Sequence, residues 1–209
     1  DSDDIMHTDY LQQLYEIIRS QPGIRFLAMK YDFQYPDGTH RASSISKLPE
    51  GWYGMDFFLK GNVVAANCCI RINDKAYKEF PPQRELASME DWLFVLLNTQ
   101  HHKLFIKDAI GLSMRQHDDR SMGDNQKVIR ARQSAVNWVE TNLSLPGNQL
   151  QTLKAWSHYF CGIHQYLDHR RGAAIKEALQ AIRKGGVQNK FLILLAKALV
   201  GRKLIRRFS

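Results

Sequence analysis

Two adjacent carboxylates, Glu90 and Asp91, stand directly before a run of large apolar side chains that extends to Leu97. This order predicts a helix whose first turn is charged and whose remainder is buried. Ser88 is expected to cap the helix, and the positive end of the helix dipole favours both acids there. A carboxylate on such a rigid turn could instead act as a general base beside a cleft. Since one acid is enough for the helix start, both interpretations of Asp91 stay open on these residues alone.

A second group of carboxylates opens the chain, where Asp1, Asp3 and Asp4 lie within four residues and precede a predicted helix. Such acids repel one another unless a cation neutralises them, and a hard oxygen site suits Mg or Mn. A metal bound there could in turn hold a phosphate-bearing substrate. The alternative is that these acids are only solvated, as acids at chain ends and helix starts commonly are.

A polar loop follows the predicted strands of the first half and carries His117 between Arg115 and Arg120, with Asp118 and Asp119. This mixture could close over a diphosphate or complete a metal shell, and the alternative is a solvated loop. The chain contains no Gly-rich phosphate loop, no paired Cys-x-x-Cys motif and no nucleophile elbow. Classical hydrolases and kinases are therefore disfavoured.

Hydrophobic periodicity predicts the elements that must position these residues. The first half is predicted to begin with a helix that is capped by Thr8 and ends at Pro22-Gly23, followed by a strand over 24–33 and a turn at Pro36-Asp37-Gly38. A loop over 41–61, with a short helix near 53–59, is predicted next. Strands are then predicted over 67–72, 103–106 and 110–114. The second half is predicted to contain helices over 126–143, 149–167, 173–184 and 188 to about 207. The sequence thus predicts an α/β region over 1–123 and an α-helical region over 124–209.

The charge is concentrated in the tail of the chain. The net charge is +8, and the stretch from Arg171 onward holds ten cations and one acid, so the rest is close to neutral. The last helix combines apolar positions such as Phe191 and Leu194 with cations, which suits binding to an anionic membrane surface. Equally, its apolar side could pack on the preceding helices while its cations are solvated. Nucleic acid is not an expected partner, because aromatics are not interleaved with the cations and no reading module occurs.

The three cysteines are too few for a disulfide scaffold, and Cys68 and Cys69 are adjacent, which disfavours a bridge between them. This usage is typical of a reducing compartment, so we expect a cytoplasmic location, peripheral to the inner face of the cytoplasmic membrane if the tail binds lipid. No apolar run reaches the roughly 18 to 20 residues of a membrane span.

Taken in order, these motifs resemble the second half of a bacterial family 2 glycosyltransferase with the GT-A fold. The run Asp1-Ser2-Asp3-Asp4 resembles that family's DxD motif, and Met89-Glu90-Asp91-Trp92 resembles its ED motif. Between them, Phe58-Leu59-Lys60-Gly61-Asn62 and Cys68-Cys69-Ile70-Arg71 resemble the acceptor-side segment, and Met114-Arg115-Gln116-His117 resembles the strand and loop beyond. The resemblance covers about the first 123 residues and depends on order and spacing.

The resemblance implies an inverting, metal-dependent transfer of a sugar from a nucleotide-diphosphate donor to a hydroxyl of a saccharide or lipid-linked saccharide, as in bacterial surface polysaccharide or glycolipid synthesis. It implies that Asp91 is the general base, while Glu90 and Trp92 orient the acceptor. Asp1, Asp3 and His117 would hold Mg or Mn, and Asp4, Arg115 and Arg120 would bind the donor.

The strands that bind the nucleotide in this family precede the DxD motif and have no counterpart in this sequence, so we expect the chain to represent the acceptor-side part. The Gln-x-x-Arg-Trp pattern of processive synthases is absent, which indicates single additions. The competing hypothesis is a non-catalytic membrane- or protein-binding module, in which the basic helical tail is the functional part and the acidic pair only begins a helix.

Overall fold

The computed structural model describes residues 4–64, 69–71, 78–116 and 124–201. Within these residues six strands form one mixed sheet: β1 (Ile5–Met6), β2 (Phe26–Gln34), β3 (His40–Ala42), β4 (Gly51–Tyr53), β5 (Cys69–Arg71) and β6 (Leu104–Arg115). The long strands β2 and β6 are parallel neighbours, paired from Leu27 opposite Phe105 to Gln34 opposite Arg115. The predicted α/β class with a mixed sheet is thereby confirmed.

Short antiparallel strands complete the sheet on either side of this central pair. On the outer edge of β6, β4 pairs with residues 104–106 and β1 pairs with residues 112–113. On the outer edge of β2, β5 pairs with residues 26–28 and β3 pairs with residues 32–34. The strands β3 and β4 lie in the segment that was predicted to be loop, because strands of three residues carry too short a pattern to be recognised.

The prediction of two separate strands over 103–106 and 110–114 is wrong, because β6 is continuous. Its register against β2 shifts on both sides of Lys30, which accommodates the extra residues of the Lys107-Asp108-Ala109 stretch as a bulge. Two ion pairs hold this polar stretch within the strand. Lys30 Nζ lies 2.7 Å from Asp108 Oδ1, and Lys107 Nζ lies 2.8 Å from Glu50 Oε2.

Helix α1 (Tyr10–Ser20) covers one face of the sheet. Its buried side chains, Tyr10, Leu14 and Ile17, form a core with Ile24, Leu27, Met29 and Phe105. The helix begins after Asp9 rather than after the predicted cap, Thr8, and the Asp9 carboxylate accepts a hydrogen bond from Gln13 Nε2 at 2.6 Å. Tyr10 packs against Gly111 so closely that a Cβ there would lie 2.5 Å from the tyrosine ring, so the contact requires glycine.

Helix α3 (Glu90–Thr99) covers the opposite face, and the short helix α2 (Met55–Phe58) lies earlier in the chain. The ring of Phe94 packs edge-on against Phe26 of β2, with 5.8 Å between ring centroids. The predicted cap at Ser88 is wrong. A 3-10 turn over Arg84–Met89 runs directly into α3, so the extended residue that precedes the helical backbone is Gln83.

Four further helices follow: α4 (Asn125–Asn142), α5 (Gly147–Leu167), α6 (Arg171–Gly185) and α7 (Asn189–Val200). Asp124 caps α4, accepting hydrogen bonds from the backbone N–H of Gln126 at 2.9 Å and of Lys127 at 3.0 Å. Helix α7 ends at Val200, and Gly201 has a left-handed φ of 85°. The predicted continuation of this helix to about residue 207 lies outside the described residues.

By their internal contacts the residues form two compact units. One contains the sheet with α1, α2 and α3 from Asp91 onward. The other contains the helices α4 to α7 together with Leu59–Gly61 and Pro82–Glu90. The predicted boundary residue, Gly123, lies outside the described residues. Among the helices that the structure describes, none has the length and apolar character that crossing a membrane requires.

Candidate active site

The end of the acidic cluster lies at one corner of the sheet. Asp4 immediately precedes β1, whose antiparallel ladder places Ile5 opposite Ser113 and Met6 opposite Leu112 of β6. Continuing that register brings Asp4 to the level of Met114, one residue before the exposed end of β6. Asp1 and Asp3 lie outside the described residues. The ladder therefore places Asp4 near the carboxyl end of β6.

The carboxyl ends of β2 and β6 meet at the same edge. Gln34 pairs with Arg115, and the backbone N–H of Gln116 donates a hydrogen bond to the carbonyl oxygen of Gln34 at 2.8 Å. Arg115 is exposed there, while His117 and Arg120 lie outside the described residues. In open α/β sheets, ligands bind outside the carboxyl ends of the strands. Asp4 and Arg115 thus converge on the edge where a ligand would be expected.

Three polar side chains that the sequence did not single out lie beside this edge. His7 Nε2 is 3.0 Å from the Oγ of buried Ser113, and Asp32, which pairs with Ser113 across the ladder, has its Oδ2 2.9 Å from His40 Nδ1. The Asp32 residue is 9% exposed, and its Oδ1 is buried with no hydrogen-bond partner. An acid within the apolar β2 run is the signal that could have identified it.

The predicted ED motif spans the start of α3. Glu90 is exposed and Asp91 is half-buried, whereas Trp92 is 2% exposed. The indole Nε1 of Trp92 donates a hydrogen bond to the carbonyl oxygen of Phe58 at 2.8 Å. The indole N–H is therefore committed to the protein, and Trp92 fixes the position of the turn that presents Asp91.

The far end of α3 is anchored as well. The Asn98 side chain accepts a hydrogen bond from the backbone N–H of Lys78 at 2.8 Å and donates to the Lys78 carbonyl oxygen at 3.0 Å. Two residues on, the ring of Phe80 stacks on Phe94 with 4.4 Å between centroids and an angle of 11°. Together with the Trp92 hydrogen bond, these contacts fix α3 at both ends.

The predicted metal ligands Asp1, Asp3 and His117 all lie outside the described residues. Within the described residues no three His, Cys, Asp or Glu side chains are grouped to hold a metal. The β1–β6 ladder brings Asp4 beside the carboxyl end of β6. Carboxylates with one imidazole are a suitable donor set for Mg or Mn.

Comparison of the chain with protein-family models, with curated proteins and with solved structures found no match. The site is therefore interpreted from its own residues. What these residues offer is an exposed sheet edge with an acid and an arginine, a buried carboxylate beside it, and a half-buried carboxylate on an anchored helix.

Proposed function

We propose that this chain is the acceptor-side part of an inverting, metal-dependent glycosyltransferase with the GT-A fold. The β1–β6 ladder, with Ile5 opposite Ser113, is the observation that supports the proposal most directly. It brings Asp4, the last residue of the DxD-like segment, to the end of β6 that carries Arg115. The donor would be a nucleotide-diphosphate sugar and the acceptor a saccharide or lipid-linked saccharide of bacterial surface polysaccharide or glycolipid synthesis.

Asp91 acts as the general base in this proposal. An acceptor hydroxyl attacks the anomeric carbon from the face opposite the diphosphate, the hydroxyl proton passes to the Asp91 carboxylate, and the bond to the diphosphate oxygen breaks. The new glycosidic bond forms with inversion. Asp91 is half-buried and lies on the helix whose position the Trp92–Phe58 hydrogen bond fixes. Glu90, exposed beside it, orients the acceptor by hydrogen bonding.

The donor lies at the sheet edge in this scheme. Asp1, Asp3 and His117 would hold Mg or Mn, which when bound supplies positive charge to the departing diphosphate. Arg115 and Arg120 would pair with the same phosphates, and Asp4 would accept a hydrogen bond from the donor sugar. Trp92 contributes by keeping the first turn of α3 in place, since its indole N–H already donates to Phe58.

The test is transfer by the full-length protein that contains the nucleotide-binding part. We expect release of nucleoside diphosphate from a panel of nucleotide sugars in the presence of Mn and a mixture of hydroxyl acceptors. Asp91→Asn should lower turnover by about 10²-fold or more, the usual contribution of a general base, while donor affinity stays within about twofold. Glu85→Gln is the matched control, because Glu85 is an exposed acid of the neighbouring 3-10 turn. Undiminished turnover by Asp91→Asn would remove the base assignment.

A second candidate function is binding to an anionic membrane surface through α7. Leu192, Ile193, Leu199 and Val200 are 42%, 52%, 49% and 48% exposed, although all are large apolar side chains. At helical spacing they share one side of α7, while Phe191, Leu194 and Ala198 are buried on another. The exposed cations Lys190 and Lys197 belong to the same helix. An exposed apolar face with adjacent cations is typical of helices that bind lipid surfaces.

Vesicle sedimentation tests the second candidate. The chain should sediment with vesicles that contain phosphatidylglycerol and not with vesicles of phosphatidylcholine alone. The double variant Ile193→Ser, Val200→Ser should lose sedimentation, whereas Leu11→Ser, which removes a side chain 70% exposed on α1, should retain it. Equal sedimentation of all variants would exclude the α7 face. Sedimentation without any sugar transfer by the full-length protein would favour the binding module over the enzyme.

A further inference from the structure

A cleft lies within the helical unit, between α4, α5 and α6. Its volume is ≈ 290 Å³. It is lined by Arg132 of α4 and by Ser157 and Cys161 of α5. These three residues are 2%, 7% and 3% exposed, respectively. A cleft of this size holds a small organic molecule rather than water alone. None of its lining residues belongs to the sheet edge proposed above.

The guanidinium group of Arg132 is held in one orientation. Its Nε donates a hydrogen bond to Ser157 Oγ at 3.1 Å, and its Cζ lies 5.1 Å from the centroid of the Phe160 ring. A guanidinium presents its N–H donors as a planar fork that matches the oxygens of a carboxylate or phosphate. Orienting that fork in advance reduces the entropy that an incoming oxyanion must overcome.

Burial disfavours the charged form of the Arg132 guanidinium. It lowers the pKa of Arg132 to about 9, while the nearby Cys161 thiol acts in the opposite direction. The guanidinium is still charged at neutral pH, but its surroundings disfavour that charge on balance. An anion in the cleft would reverse this balance.

The two carboxylates of the cleft are engaged with other side chains. Glu177 Oε2 lies 2.7 Å from His158 Nδ1, and Glu140 forms an ion pair with Lys154. All four residues line the cleft. The Lys154 ammonium compensates Glu140, whereas the hydrogen bond to His158 leaves Glu177 negatively charged unless the imidazole is protonated.

Lys184 of α6 also lines the cleft. It is half-buried, and among the residues that the structure describes it forms no ion pair. Arg132 and Lys184 therefore bring two positive charges from different helices to one partly desolvated space. Like charges in such a space raise the free energy of the folded chain, and an anion between them lowers it.

We propose that this cleft binds a small molecule that carries an oxyanion, either phosphate or carboxylate, between Arg132 and Lys184. The Glu177–His158 pair lies in the same lining and can hydrogen-bond to hydroxyl groups of the molecule. The volume exceeds what the oxyanion alone needs, so the ligand class is a phosphorylated or carboxylated polar metabolite.

Isothermal titration calorimetry on the full chain tests this proposal, with inorganic phosphate, succinate and chloride as probes at matched ionic strength. We expect phosphate or succinate to bind at one site with a Kd on the order of 1 mM, and chloride not to bind. Whichever of the two binds more tightly identifies the oxyanion. Lys184→Gln should weaken that binding about tenfold, because one charge-assisted contact is lost.

Lys176→Gln is the matched control, since it removes the same charge from an exposed position of α6 and should leave the Kd within about twofold. Arg132→Lys keeps the charge but not the fork, and in a folded variant it should weaken binding at least as much as Lys184→Gln. If the Arg132 variant fails to fold, the comparison of the two lysine variants still tests the proposal. Equal weakening by Lys184→Gln and Lys176→Gln, or no heat with either oxyanion, would overturn the proposal.

Discussion

The indole N–H of Trp92 and the carbonyl oxygen of Phe58 are joined by a hydrogen bond of 2.8 Å, which connects the first turn of α3 to the end of α2. The carbonyl belongs to a residue that is 0% exposed, so water cannot replace the lost donor without a rearrangement. Trp92 directly follows Asp91 in the sequence. The position of the proposed base thus depends on a bond between two segments that are 34 residues apart.

Trp92→Phe should lower the free energy of unfolding by about 2–4 kcal/mol, because it removes both a buried hydrogen bond and buried ring area. Chemical denaturation of the full chain measures this loss. Trp52→Phe is the control, since Trp52 is 47% exposed, and we expect it to cost less than about 1 kcal/mol. Similar losses in the two variants would contradict the structural role given to the Phe58 hydrogen bond.

The Lys30–Asp108 pair should behave asymmetrically. The Lys30 side chain is 4% exposed and that of Asp108 is 64% exposed, so removing the acid leaves a buried ammonium with the Ser46 carbonyl as its remaining described partner. Asp108→Asn should cost about 1–2 kcal/mol, an amount reduced by the solvent exposure of the acid. Lys30→Met in the Asp108→Asn background should recover part of that loss, and a double-mutant cycle by denaturation measures it. Strict additivity would show that the pair does not interact.

Stability should fall as the pH drops through the ordinary pKa of His164. Burial lowers the pKa of His164 below 6.5, while Asp168 raises it by less. The folded chain therefore binds this proton more weakly than the unfolded chain does, so the contribution of His164 is complete above about pH 6.5 and decreases below it. Since His164 is substantially solvated, we expect the decrease to be less than about 1 kcal/mol.

The measurement is the difference in unfolding free energy between pH 7 and pH 5, compared for the wild type and His164→Gln. The variant should show the smaller decrease. His101→Gln replaces an exposed histidine and should match the wild type. A His164→Gln profile identical to that of the wild type would contradict the prediction.

Cys161 should resist thiol reagents in the native chain. Burial raises the pKa of its thiol to about 12, and the negative charge of Glu177 adds to the effect, so thiolate is scarce at pH 8. Labelling with a maleimide followed by peptide mass spectrometry should leave Cys161 unmodified until denaturant is added. Rapid native labelling at Cys161 would show that α5 opens readily.

Several elements were predictable because their signals are local. The helices α4, α5 and α6 begin and end within two residues of their predicted limits, since their periodicity is long and their ends carry Pro or Gly. The continuity of β6 was not predictable. Lys107-Asp108-Ala109 has the composition of a turn, and only the distant partners Lys30 and Glu50 keep it within the strand.

The residues of the candidate site likewise divide into those that a local sequence pattern indicates and those that it does not. The carboxylates of Asp4 and Asp91 were recognisable by their spacing from neighbouring motifs. Asp32 stands out as an acid within an apolar strand, but this composition gives no indication of which sheet edge it lies beside or of how its oxygens are bonded. Ser88 was predicted as a cap by a local rule that does not anticipate a 3-10 turn leading into the helix.

The strand that leads to Asp4 is only two residues long. Besides the ladder of Ile5 and Met6, it is held by the His7 backbone N–H, which donates to the Gly111 carbonyl oxygen at 3.0 Å, and by the His7 side chain on Ser113. So short an attachment opens at a small fraction of the free energy of global unfolding. A ligand that binds only when β1 is attached to β6 therefore has its apparent affinity reduced by the fraction of molecules in which β1 is detached. Binding of that ligand in turn lowers the detached fraction. Strand docking and ligand binding at this corner would then be thermodynamically linked, each acting as an effector of the other.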